Sequence, residues 1–79
     1  MNASDAPRRT YLWDFFGAGA AGTAAHFQRH LDQFLEREGI SGCETGLRSE
    51  RPGHHAAFCT APIELEAALV RALKPQRAV

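Results

Sequence analysis

The stretch Gly17-Ala18-Gly19-Ala20-Ala21-Gly22-Thr23 constrains this chain more than any other. It follows the most aromatic run, Tyr11-Leu12-Trp13-Asp14-Phe15-Phe16, and precedes the longest helical pattern, from about Ala24 to Glu38. Aromatics and threonine favour a pleated, packed surface, so Thr10–Phe16 is expected as a first strand. Strand, glycine loop and helix start then follow in order. Backbone N–H groups can converge on an anion in that setting.

Gly17, Gly19 and Gly22 have G-x-G-x-x-G spacing. In a dinucleotide fold the first glycine makes a tight turn, the second lets backbone approach the pyrophosphate, and the third permits close helix packing. The length argues against that fold. Seventy-nine residues cannot build two mononucleotide-binding halves. No second complete crossover follows, and Glu44 is the only acidic candidate for a ribose partner. The stretch is therefore expected to be a packing turn. An anion site formed by Gly17, Gly19, Gly22 and Thr23 is the alternative.

The rest of the chain yields short elements. Thr23 is expected to cap the first helix through its hydroxyl. Phe27, Leu31, Phe34 and Leu35 give that helix one apolar stripe, which Ala24 extends by a turn. Gly39 is placed to end it. Cys43–Arg48 is expected as a second strand and His54–Thr60 as a third, joined by a turn at Glu50-Arg51-Pro52-Gly53. Pro62 opens a second helix with Leu65, Ala68, Leu69, Ala72 and Leu73 on its apolar face, and Pro75 stops it.

The order β-α-β-β-α gives an α+β fold with a three-stranded sheet and two helices on one face. It is a ferredoxin-like fragment missing one strand. One compact domain over residues 10–75 is expected, with a flexible arm over 1–9 and a frayed end over 76–79.

Composition narrows the function classes. Nine basic residues balance nine acidic ones. That removes the basic field on which nucleic-acid binding depends. No apolar run is long enough to cross a bilayer. The polar start, Met1–Arg9, lacks the apolar core of a secretion signal. Cys43 and Cys59 are too few for a disulfide scaffold, so a reduced, cytoplasmic setting is expected. A hairpin centred on Arg51 would place these two cysteines opposite each other, and buried small hydrophobes are their leading role.

The candidate chemistry is sparse. His26 and His30 lie one helical turn apart and could share a metal, but a competent site needs a third ligand. Asp14, inside the aromatic strand, must find hydrogen-bond donors. It forms an acid–base candidate with His26 or His30. His54-His55 are adjacent, so a strand would point them to opposite faces. No cofactor is called for. Catalysis stays open, with an enzyme the less favoured class.

Tyr11, Trp13 and Phe15 share one face of the first strand. If that face is uncovered, it is too apolar for solvent and marks an interface. The alternative buries it under the helices. The leading expectation is a small protein-association domain, a homodimer or a binder of another protein. A phosphate- or anion-binding domain and a small metal or acid–base enzyme are the alternatives.

Overall fold

The computed structural model of the chain describes residues 7–79. In chain order its elements are β1 (Arg8–Phe16), α1 (Ala20–Arg37), β2 (Glu44–Arg51), β3 (His54–Pro62), one 3₁₀ turn (Ile63–Leu65), α2 (Glu66–Leu73) and β4 (Arg77–Ala78). The strands form one sheet in the order β2-β3-β1-β4, and each neighbouring pair is antiparallel. Two antiparallel steps make β1 and β2 parallel with β3 between them. This is the complete β-α-β-β-α-β ferredoxin-like arrangement.

The three-stranded sheet expected from the sequence is therefore corrected to four strands. The missing strand lies in the segment expected to fray. Gln76 donates its backbone N–H to the Leu12 carbonyl at 2.9 Å, and Thr10 and Val79 exchange both backbone hydrogen bonds, at 3.0 and 2.8 Å. The exposed edge of β1 supplies the partners that a two-residue strand cannot find within itself. Of the expected N-terminal arm, residues 1–6 lie outside the described residues, whereas Arg8 and Arg9 belong to β1.

The core lies between the sheet and the helices. Tyr11 and Trp13 of β1, Leu31 and Leu35 of α1, Cys59 and Ala61 of β3 and Leu69 of α2 form it. Trp13 packs on Phe27 with ring centroids 5.0 Å apart, and Phe15 meets the same ring at 5.8 Å. Tilted contacts of this kind suit the aromatic quadrupole. The Trp13 indole donates to the Leu73 carbonyl at 2.7 Å and satisfies an orphan acceptor at the end of α2. The Tyr11 hydroxyl donates to Glu66 Oε1 at 2.8 Å, and Arg9 Nη1 reaches the same oxygen at 2.9 Å. Burial, then the Glu66 carboxylate, pushes the Tyr11 hydroxyl up to about 12. That hydroxyl and Arg9 hold Glu66 below its usual value.

The glycine stretch folds differently from expectation. Its helix begins at Ala20, with Gly19 at the cap position and no side-chain cap. Thr23 is the fourth helical residue, so it cannot cap. Its hydroxyl donates back to the Gly19 carbonyl at 3.0 Å. Gly17 has φ +104°, which requires glycine, and its N–H is held by the Gly53 carbonyl at 2.8 Å. A Cβ at Gly17, Gly19 or Gly22 would meet nothing within 4 Å, so close packing is not what places glycine there.

The β2–β3 hairpin turns on Pro52-Gly53, with Gly53 at φ +78°. Pro followed by a positive-φ Gly fits a type II turn. That turn matches strand twist poorly in a two-residue hairpin, and a bulge at Glu50 absorbs the mismatch. The register is shifted by two residues from one centred on Arg51. Cys59 stands opposite Thr45, not Cys43, and both thiols are free. Burial, then neighbouring Cys43, pushes the Cys59 thiol up to about 12.

Candidate functional site

Side chains alternate along β1. Tyr11 and Trp13 enter the helix-covered core, so Thr10, Leu12, Asp14 and Phe16 face the other way. Directly opposed residues share a face, which adds Thr60, Phe58, Ala56 and His54 from β3. Gly46 and Arg48 of β2 and Arg77 of β4 join them by register. No element of the described chain covers this open face of the sheet.

An ionic network occupies its middle. Arg77 grips Asp14 with two parallel bonds, Nε to Oδ2 at 2.9 Å and Nη2 to Oδ1 at 2.8 Å. This bidentate geometry is the strong form of the pair. His54 Nε2 lies 2.9 Å from Asp14 Oδ1, and the backbone N–H of Asp14 donates to the Gln76 side chain. The Asp14 side chain retains 11% of its exposure. The Arg77 guanidinium holds its carboxyl below the usual carboxylate range; burial opposes that shift and His54 assists it. Arg77 also stands 3.5 Å from Glu50, and Arg48 Nε stands 2.9 Å from Glu50 Oε1 but out of line for a hydrogen bond. The bulge brings Glu50 into this network. Arg48 and Arg77 balance Asp14 and Glu50, so the four charges sum to zero.

Apolar groups surround the network. Leu12 and Ala56 are fully buried, although they lie on the open face. Phe58 and Arg77 stand opposite Leu12 on its two neighbouring strands. A Cβ on Gly46 would stand only 2.7 Å from the Phe58 ring, so that ring lies directly over the glycine. At one end Phe16, 72% exposed, stacks on His54 with centroids 4.4 Å apart. At the other end is Val79, 67% exposed and paired with Thr10. The Thr10 and Thr60 hydroxyls bond each other at 2.7 Å between them.

The residues singled out from sequence are dispersed. Tyr11 and Trp13 are 1% and 4% exposed, with Phe15 packed against the same core, so this trio lies under the helices and not on a free surface. Asp14 meets neither His26 nor His30. It points away from α1, and its histidine is His54, from the far end of the hairpin. His26 and His30 bring their Nε2 atoms within 2.9 Å of each other on the outside of α1. No group of three or more His, Cys, Asp or Glu side chains among the described residues is arranged to hold a metal. At the glycine loop, the Gly17, Ala20 and Thr23 amides donate to carbonyls of the chain.

Asp14 accepts from an arginine fork and approaches a histidine, which leaves it poorly suited to act as a free base. Among the described residues no hydroxyl or thiol is hydrogen-bonded to His54 as a nucleophile would be. The open face thus offers fixed charges and exposed aromatic surface, which suit recognition. Arg77 and Glu50, two more of its charged members, are hidden in the sequence because the tail and the bulge that place them have no local signature.

No family model matches the chain, and neither a curated protein nor a solved structure shows significant similarity to it. No helix among the described residues is long and apolar enough to cross a membrane.

Proposed function

We propose that this domain works by association, and that the open face of its sheet meets the same face of a second copy. One observation carries the proposal. Among the described residues the two most exposed large apolar side chains, Phe16 and Val79, stand at opposite ends of that face with a charge-balanced network between them. A two-fold contact sets a surface against itself, so the surface must be self-complementary. A face with net charge could not satisfy that condition. This one can, in a chain whose formal charge is zero. An antiparallel arrangement about the centre of the sheet brings each Phe16 towards the partner's Val79 end.

The size of the face sets the strength. A nine-residue strand and a sheet mostly three strands wide give a footprint of about 30 Å by about 15 Å. That is below the roughly 800 Å² per partner of a standard stable interface. Weak, micromolar self-association is the expected regime. Free thiols at Cys43 and Cys59 support a reducing compartment such as the cytoplasm as its setting.

Sedimentation equilibrium over a micromolar concentration series tests this directly. The wild-type chain should shift from monomer to dimer. Phe16→Asp should remain monomeric, because it places a charge where an apolar contact forms. Val70→Asp, on exposed α2, should leave the dimer intact. A wild-type chain that stays monomeric throughout, or a dimer indifferent to Phe16→Asp, overturns the proposal. Trp13→Ala is not informative here, because it empties the core.

A further inference from the structure

The outer surface of α1 carries two imidazoles whose same-named nitrogens converge. His26 Nε2 and His30 Nε2 are 2.9 Å apart, with their rings inclined at 72°. Their spacing of one turn puts both on one helix face, and α1 is continuous from Ala20 to Arg37, so its backbone fixes that spacing. Two nitrogens in direct contact share one proton, donated by one ring and accepted by the other. A cation can take the place of that proton. The donating ring then shifts its proton from Nε2 to Nδ1, and a neutral pair binds the ion without net proton release.

Imidazole nitrogen is a ligand that zinc, copper and nickel all accept.

We propose that His26 and His30 form a two-nitrogen chelate for a divalent late transition metal such as nickel, copper or zinc. The remaining coordination positions face solvent, beside an exposed His30. The site lies in the helical layer and is independent of the open sheet face. It also has a structural effect. α1 begins without a side-chain cap and without an acidic residue in its first turn. A metal that ties residue 26 to residue 30 locks the middle turn of this helix.

Ni(II) chloride is the probe, because it spares the free thiols the oxidation that copper brings. Metal-stripped full chain is titrated while thermal unfolding is followed by circular dichroism and stoichiometry by calorimetry. A ligand that binds only the folded state raises Tm in a concentration-dependent way. The expected result is a saturable rise at one Ni(II) per chain, with paramagnetic broadening of the His26 and His30 ring signals in NMR. His26→Ala and His30→Ala should each lose the rise, and His55→Gln should keep it. Alanine is well tolerated on an exposed helix face, so these variants remain folded. The inference is overturned if Tm does not respond, if the response survives in the His26→Ala/His30→Ala double variant, or if broadening centres on other histidines of the wild-type chain.

Discussion

Asp14 shows what one carboxylate can do for a sheet. Its side chain joins β1 to β4 through Arg77 and β1 to β3 through His54, so three strands meet at one group. Its folded pKa is depressed, so between the folded and unfolded values the unfolded chain binds more protons. Stability is then fully present above about pH 4 and is lost as pH falls through the folded value. Glu66 is depressed too and acts in the same direction. Urea unfolding should show Asp14→Asn less stable at pH 7 by about 1.5–3 kcal/mol, the scale of hydrogen bonds to a charged group. The deficit should shrink near pH 3. On the alkaline side the sign reverses. Tyr11, raised to about 12, contributes stability that is present below about pH 10 and lost as pH rises towards its folded value. Tyr11→Phe should flatten that alkaline loss, measured as Tm against pH, with the remainder arising from Cys59. The sequence shows that Asp14 needs donors, because a carboxylate among aromatics is costly alone. It does not show which donors. His54 is forty positions away and Arg77 sixty-three, and no local pattern connects them.

At the level of elements, the helices are the more legible half. The apolar stripe of α1 and the Pro75 stop of α2 are periodic or stereochemical signals, and both survive in the fold, whereas Pro62 ends β3 and leads into the 3₁₀ turn, so α2 itself starts at Glu66. The glycine loop is less legible because spacing alone does not fix backbone conformation. Only Gly17 of its three glycines adopts a positive φ, whereas Gly22 lies inside α1. Their alanine variants should therefore diverge. Gly17→Ala should cost about 1 kcal/mol or more through backbone strain. Gly22→Ala should gain about 0.5–1 kcal/mol, the helix cost of glycine, since nothing stands near its Cβ. Chemical denaturation of the two variants checks both signs, and a required third glycine would reverse the second. The α2 end allows a matching test. Lys74 has φ +50° and closes the helix just before Pro75. Lys74→Gly should raise stability by about 0.5–1 kcal/mol in the same assay. β4 is silent in the sequence for a different reason. Arg77 and Ala78 are too few to display alternation, and their pairing is dictated by the open edge of β1.

At the scale of the whole molecule, the missing strand alters which surfaces remain available. Without β4 the aromatic strand has a bare edge, and edge pairing between chains would be a natural means of association. With β4 in place the Thr10–Leu12 stretch of that edge is occupied, the aromatic trio packs under the helices, and the open face of the sheet is left uncovered. The helices and three of the four strands could be anticipated from pattern; which face faces outward could not, because both sides of β1 are apolar in sequence. The Thr10–Val79 pair has a further consequence. Two mutual backbone hydrogen bonds put Val79 beside Thr10 near the start of β1, with their Cα atoms about 5.5 Å apart across the strand pair. The path of the chain is thus nearly a closed ring, interrupted at one point that need not be where it is cut. A permuted chain, with residue 79 linked to residue 8 and new ends at the exposed Pro52-Gly53 turn, should fold to the same sheet, as matching NMR amide patterns would show. The same closeness lets such a domain be inserted into a surface loop of another protein without parting the strands of its host.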